Sequence, residues 1–341
     1  MAAAQDSGGR TGARRRIAVL IPCYNEEVAV PLVIAAFREA LPGATIYVYD
    51  NNSTDRTREV AAAAGAVVRR ETLQGKGNVV RRMFADIEAE AYVLVDGDDT
   101  YDATAASEMV RLLLTDRLDM VTAVRVTDAE AGLAYRPGHR FGNRVLTGMV
   151  RRIFGDRVSD MLSGYRVFSR RFVKSFPALA SGFETETEFT VHALELRLPL
   201  GEVRTRYQER PVGSVSKLNT WRDGMRILRT ILLLVQRERP LAFFASSGAA
   251  LLVLAILLAV PLVATYVETG LVPRFPTALL ATGLAILAAL SMVCGLILDT
   301  VSRGRLEARV LAYLAIPMAE DDPEVAGEGL CPSPDLTPPK A

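Results

Sequence analysis

Hydrophobic positions change rhythm along the chain. As far as about Val126, short apolar runs alternate with stretches of helical spacing, and beyond Leu241 two long apolar runs replace that alternation. Ile17–Ile21 and Tyr92–Val95 read as buried strands, and Thr45–Tyr49, Ala66–Arg69 and Met120–Val126 as further strands. Between them, apolar spacing predicts one helix ending near Leu41, one carrying Ala61–Ala64, one containing Val80, Met83, Phe84 and Ile87, and one over Ala105–Leu114. Ser53 or Thr54 is placed to cap the second of these. Strands alternating with helices imply an α/β domain, a doubly wound parallel sheet with its ligand at the carboxyl ends of the strands. The expected domain covers residues 17–218, after a disordered lead at 1–16.

Leu241–Tyr266 and Thr277–Leu298 are nearly free of charge. Each exceeds the roughly 20 residues that a helix needs to cross a bilayer, so residues 240–300 are expected to form a transmembrane hairpin. Just before it, over 219–239, Trp221, Met225, Leu228, Leu232 and Val235 share one helical face and Arg222, Arg226 and Arg229 another, the pattern of an amphipathic interfacial helix. Cations flank the outer ends of the hairpin (Arg237 and Arg239, then Arg303, Arg305 and Arg309), whereas its short loop has Arg274 beside Glu268. Both chain ends are therefore expected in the cytoplasm, with the protein integral to the plasma (inner) membrane. Residues 301–341 read as a cytoplasmic helix end and a disordered tail, acidic and rich in Pro and Gly from Glu320.

A formal net charge of +1 over 341 residues carries no nucleic-acid signature. Cys23, Cys294 and Cys331 lie far apart and indicate neither a disulfide framework nor a zinc site. The chemistry gathers instead in polar turns that follow strands: Pro22–Glu26, Asp50–Asp55, Gly75–Asn78 and Asp96–Asp99, all expected on one rim. Carboxylates at a strand end suit a hard cation, Mg²⁺ or Mn²⁺, which binds through one or two carboxylates and a substrate's phosphates. Asp50 can accept from a base imide, Tyr24 can stack, and Gly75 and Gly77 let backbone approach a ligand. Arg140 and Arg144, four apart, are candidates to meet phosphate. Among Glu184, Glu186 and Glu188, the last fits a capping box with Thr185; Glu184 and Glu186 stay as site candidates, with Asp160 beside them.

Ile21-Pro22-Cys23-Tyr24-Asn25-Glu26-Glu27, Asp50-Asn51-Asn52-Ser53-Thr54-Asp55-Arg56-Thr57, Gly75-Lys76-Gly77 and Asp96-Gly97-Asp98-Asp99 resemble, in order, the signatures of the inverting glycosyltransferase family 2. The resemblance implies a GT-A fold, a nucleoside-diphosphate-sugar donor, and an Asp-x-Asp, here Asp96 and Asp98, that holds the metal on the diphosphate. Pro22, Tyr24, Asn25, Glu26, Asp50 and Lys76 would fall to the donor pocket. Asn51 departs from the pattern, because many relatives carry a second aspartate there.

Tyr207–Asn219 is similar to a narrower group, the dolichol-phosphate-mannose-synthase-like polyprenyl-phosphate glycosyltransferases, in which an arginine and a Ser-Lys pair lie near the phosphates; Arg210, Ser216 and Lys217 match them. The implied reaction is inverting transfer from a UDP-sugar, with GDP-mannose as the other donor, to a polyprenyl phosphate. Asp98, Glu186 and Glu184 are its catalytic candidates. The acceptor needs no strong base, since the second ionisation of a phosphomonoester lies near about 6. Two alternatives stand beside this reading: transfer to a lipid-diphosphate-linked saccharide, or a silent membrane-anchored nucleotide-sugar-binding scaffold. A processive synthase is disfavoured, because Asn219 and Thr220 precede Trp221 where its Gln-x-x-Arg-Trp would stand. The spanning and amphipathic helices offer surfaces for a homo-oligomer.

Overall fold

The computed structural model describes residues 16–126, 158–180, 182, 184–208, 236 and 239–317. Strands β1 (Ile17–Cys23), β2 (Thr45–Asp50), β3 (Val67–Arg70) and β4 (Ala91–Leu94) alternate with helices α1 (Val30–Ala40), α2 (Thr57–Ala63) and α3 (Lys76–Asp86), as the hydrophobic rhythm requires. Then follow α4 (Ala105–Thr115), β5 (Met120–Val126), β6 (Arg166–Ser169), α5 (Arg170–Ser175), α6 (Thr185–Glu195) and β7 (Leu200–Arg206). One seven-stranded sheet results, in the order β3-β2-β1-β4-β6-β5-β7.

The sheet is mixed rather than wholly parallel. β1 pairs in parallel with β2 and β4, and β5 with β7, but β6 runs antiparallel to both β4 and β5. Residues 160–165 lie beside the carboxyl end of β4, so β6 carries the chain back from that rim and needs no helical crossover. Neither β6 nor β7 stands out as an apolar run. β6 is four residues headed by an arginine, and in the edge strand β7 the buried Val203 and Thr205 alternate with exposed Glu202, Arg204 and Arg206. Because β1 lies between β2 and β4, the strand order turns around at β1, which opens a crevice at the carboxyl ends of these strands.

Each face of the sheet has its own core. Val19, Ile21 and Val93 pack under α1 and α4 with Ile34, Phe37 and Met109, while Leu20, Tyr92 and Leu94 pack under α3 with Val80 and Met83. An aromatic group extends the second core: Phe168 lies 4.7 Å from Phe172 and 4.8 Å from Phe189, centroid to centroid. The expected side-chain cap of α2 is not formed. Asp55 accepts the Thr57 N–H at 3.0 Å, whereas Ser53 and Thr54 bond the first loop instead.

Helices α7 (Pro240–Thr269) and α8 (Phe275–Leu314) are both long and apolar enough to cross a membrane, by length and composition. Ser291 of α8 donates to the Phe244 carbonyl of α7 at 2.8 Å. At about 1.5 Å per residue, the 40 residues of α8 reach about 60 Å, twice a hydrocarbon core of about 30 Å. Beyond Leu298 the helix continues unbroken and returns to the α/β domain, where Arg309 pairs with Glu195.

His192, buried in α6 between the edges of Phe172 and Phe176, has its pKa pushed from 6.5 down to about 4, first by burial and then by the Arg309 charge. Between these values the unfolded chain binds a proton that the folded chain refuses, so stability is lost as pH falls through that window. Urea midpoints measured across this interval should therefore drop with acidification, and His192→Leu should flatten the slope; an unchanged slope would contradict the burial of a neutral imidazole.

Candidate functional site

The first two polar turns are laced together by backbone donors. Asn25 N–H bonds Ser53 Oγ at 2.9 Å, Thr54 N–H bonds Asn25 Oδ1 at 2.8 Å, Glu26 N–H bonds Thr57 Oγ1 at 2.9 Å, and Glu27 N–H bonds Asp55 Oδ2 at 3.2 Å. Asn25 holds a left-handed backbone, φ 54°, which asparagine tolerates better than most residues. Its carboxamide is thus engaged in the scaffold, while the neighbouring Tyr24, which follows the carboxyl end of β1, is 38 % exposed. Asp50 closes β2 at 1 % exposure; Oδ1 accepts Ser53 N–H at 3.2 Å, and Oδ2 lies 3.9 Å from Arg58 Nε.

Asn51 has a structural reason to be an amide. Its Nδ2 donates to the carbonyls of Glu71 (3.0 Å) and Leu73 (2.8 Å), and its Oδ1 accepts Gly75 N–H at 2.7 Å. One side chain therefore fixes the segment that leads into α3. A carboxylate would retain only the last bond and set its other oxygen against two carbonyls.

Lys76, the first residue of α3, is the centre of the site. Its ammonium donates to Asp96 Oδ1 and to Glu186 Oε1, each at 2.5 Å, joining the β4 turn to the first turn of α6. The lysine side chain is 10 % exposed and that of Glu186 7 %. Burial alone would lower the pKa of the ammonium, but the Asp96 and then the Glu186 charge, each also a hydrogen-bond partner, hold it well above that of a free lysine. Gly77 admits the chain itself rather than a ligand: a Cβ there would lie 2.2 Å from the Ala180 carbonyl oxygen and 2.8 Å from Thr185 Oγ1, so its absence lets α6 and its lead seat against α3.

Asp96 is backed by Gly164, where a Cβ would fall 2.2 Å from Asp96 Oδ2. The Tyr101 hydroxyl accepts Gly164 N–H at 2.9 Å and so holds that backbone in place. Asp98, nearly buried, accepts the Thr100 hydroxyl at 2.7 Å, and Gln208 N–H bonds the Thr100 carbonyl at 2.9 Å. Asp99 takes a left-handed backbone, φ 56°, and its carboxyl pKa is raised by burial and then by the Asp98 charge.

At the start of α6 the capping box is not formed. Thr185 Oγ1 donates to the Gly182 carbonyl at 2.7 Å, and the Glu188 carboxylate accepts the N–H groups of Leu179 and Ala180, both at 2.9 Å, because the preceding loop folds back over the helix. Glu184 is the helix N-cap residue, its carboxylate turned towards Gly182, where a Cβ would stand 2.7 Å from Oε2. Glu186, rather than Glu184, carries the contact with Lys76. Asp160 is committed elsewhere, in a two-point pair with Arg125 at 2.7 and 2.9 Å; burial alone would raise its carboxyl, but the Arg125 bonds and charge hold it below the usual range.

The pattern reading missed three residues that shape this rim: Tyr101, Arg125 and Arg166. Arg166 is fully buried, donating to the carbonyls of Ser163 (3.0 Å) and Met161 (2.6 Å) and to Thr190 Oγ1 (2.9 Å), so it ties the rim loop to α6 one turn beyond Glu186. Burial pushes its pKa down to about 10, although the Glu186 and Asp160 charges oppose this. A lone arginine ahead of Val167 and Phe168 was the available signal. Arg140, Arg144, Arg210, Ser216 and Lys217, together with the expected interfacial helix, lie outside the described residues.

Residues 18–176 match the family described as glycosyl transferase family 2. A glycosyltransferase of Haloferax volcanii, AglJ, is 36 % identical over 233 residues, which are 68 % of this chain and 76 % of the relative. The dolichyl-phosphate hexose transferase of the same organism is 26 % identical over 223 residues, covering 65 % of this chain and 95 % of its own. Among solved structures, the glucosyl-3-phosphoglycerate synthase of Mycobacterium tuberculosis in complex with Mn²⁺ and UDP-glucose superposes with a TM-score of 0.53 at 22 % identity, over 65 % of this chain and 78 % of that one, a likeness of fold. The chain belongs to glycosyltransferase family 2 and is a glycosyltransferase enzyme with a GT-A-like fold.

Asn51→Asp should unfasten the 71–75 segment. With a buried group left unsatisfied costing about 1–3 kcal/mol, the variant should lose about 2 kcal/mol in urea titrations and gain hydrogen exchange at Leu73 and Gly75. Wild-type stability and protection would contradict the donor role of the amide.

Proposed function

We propose that the protein is a membrane-bound, metal-dependent inverting hexosyltransferase, which moves a sugar from a nucleoside diphosphate, with UDP favoured, to the phosphate of a polyprenyl lipid. The observation that carries this reading is the charge balance of the rim: the single ammonium of Lys76 faces Asp96 and Glu186, with Asp98 two residues along the same turn. Among the described residues this contact leaves negative charge in surplus, and its donors are oxygens, which suits Mg²⁺ or Mn²⁺. Among the described residues no three His, Cys, Asp or Glu side chains are grouped to hold a cation by themselves. The proposed cation would be bound through Asp96 and Asp98 and completed by water and donor phosphates. When bound, such an ion neutralises charge on the departing nucleoside diphosphate.

The chain's own residues divide the remaining work. Asp50 and Tyr24 receive the base, and the turn of Pro22, Asn25 and Glu26 frames it. Lys76 holds Asp96 and Glu186 in place and supplies positive charge near the diphosphate. Glu186, with Glu184 beside it, orients the acceptor or the sugar; no strong base is needed, because the acceptor is already an anion. Arg210, Ser216 and Lys217 are assigned to the phosphates of donor and lipid, whose like charges must be brought together. They follow Gln208, which is anchored at Thr100 close after Asp98. Arg140 and Arg144 are assigned the same task.

Support for the lipid acceptor comes from the two apolar helices and the name of the dolichyl-phosphate relative, and for the donor and metal from the UDP-glucose and Mn²⁺ in the structural neighbour. The flanking arginines favour a cytoplasmic catalytic domain. A catalytically silent scaffold is separated by one variant. In proteoliposomes with polyprenyl phosphate, Asp98→Ala should lose transfer by about 10²-fold or more while keeping its melting temperature, measured with the nucleotide sugar that the wild type turns over. Undiminished transfer would remove Asp98 from the chemistry.

A further inference from the structure

α6 has a partner at each end. Its first turn carries Glu186, bridged through Lys76 to Asp96, and its last residue, Glu195, is ion-paired with Arg309 of α8. One turn further along α8, the Tyr313 hydroxyl donates to Asp119 Oδ2 at 2.7 Å. The Arg171 guanidinium covers the Tyr313 ring at 4.3 Å from its centroid. Asp119 is itself pinned, since its Oδ1 accepts the Ser169 hydroxyl at 2.6 Å and its carbonyl accepts the Ser169 N–H at 3.0 Å. Arg309 and Tyr313, four residues apart, thus grip the end of α6, the head of β5 and the start of α5 from one face of α8.

These contacts are not a solvated surface pairing. The Glu195 side chain is 8 % exposed and that of Arg309 26 %, and Tyr313 packs on the aromatic core around Phe168. α8 runs as one helix from Phe275 to Leu314, and its proline, Pro276, stands in the first turn, where it makes no kink. The same rigid rod is therefore apolar at one end and locked into the catalytic domain at the other.

We propose that Arg309 and Tyr313 form a positioning clamp, which sets the height and tilt of α6, and with it the Glu186–Lys76–Asp96 bridge, over the membrane that holds the acceptor. The inference rests on the polyprenyl-phosphate reading above. Its logic is an asymmetry between substrates. A nucleotide sugar reaches the crevice from water at any orientation of the domain, whereas a lipid phosphate stays at the bilayer surface, so only its encounter depends on how the domain is mounted. A misplacement of about 1 Å can cost about 10²-fold in rate.

The test uses the full chain in lipid nanodiscs that contain polyprenyl phosphate. Arg309→Ala, and Tyr313→Phe as a variant that loses only a hydroxyl, should raise the KM for the lipid about tenfold. Nucleoside diphosphate affinity and lipid-free hydrolysis of the donor should stay at wild-type values. Arg309→Glu, which sets a second carboxylate against Glu195, should raise the lipid KM at least as far as Arg309→Ala, and the exchanged pair Arg309→Glu with Glu195→Arg should recover it. A wild type that makes no lipid-linked sugar with any donor would overturn the acceptor reading and the clamp with it. A wild type that transfers, with variants of unchanged lipid KM, would overturn the clamp alone. A parallel loss of donor binding and transfer, not rescued by the exchange, would reduce the contact to fold maintenance and overturn it as well.

Discussion

The Lys76 ammonium, withdrawn from water between Asp96 and Glu186, is the contact on which the site depends. Three chain segments that share no secondary structure meet there: the turn after β4, the start of α3 and the first turn of α6. Removing the lysine would leave two carboxylates facing one another with little solvent at Glu186, and breaking a buried pair of this kind costs about 3–5 kcal/mol. The proposed chemistry uses the same arrangement. An ammonium that answers only part of the acidic charge holds the carboxylates in register and leaves the rim attractive to a further cation.

The fold supplies what this contact needs. Parallel strands β1, β2 and β4 deliver their polar turns to one rim, and the turnaround at β1 opens the crevice between them. The antiparallel return through β6 then brings Gly164 against Asp96 and sends buried Arg166 across to α6. A wholly parallel sheet would place the 160–165 segment differently and leave Asp96 without its backing. Arg166 and the Arg125–Asp160 pair explain how an acidic rim tolerates burial: the carbonyls and carboxylates around it are met by fixed guanidinium donors.

Much of this was legible in the chain because it is local. The alternation of apolar runs placed β1, β2, β3, β4 and β5 and the helices between them, and the turns rich in Asp, Asn and Gly after those strands marked the rim. Family 2 membership was readable from the order of those turns. Less legible was anything that depends on what lies across the fold. Neither Ser53 nor Thr54 caps α2, because both are taken by Asn25, and Asp55 bonds the Thr57 N–H at the start of the helix instead. Gly77 admits Ala180 rather than a ligand, and Glu188 serves a loop that folds back rather than its own helix end. β7 hid because an edge strand shows charge on alternate positions, and α8's return to Glu195 and Asp119 hid because neither side chain carries a periodic signal.

The proposed reaction passes a donor sugar to a membrane-held phosphate at the Lys76-centred rim. The direct measurement is to supply membranes that contain the protein with polyprenyl phosphate, Mg²⁺ or Mn²⁺ and a panel of labelled nucleotide sugars, and to extract the lipid. One donor should label the lipid phosphate, in a β linkage from an α-linked donor, and the label should vanish without the divalent ion. No labelled lipid with any donor, in membranes where the protein is folded and binds nucleoside diphosphate, would contradict the account.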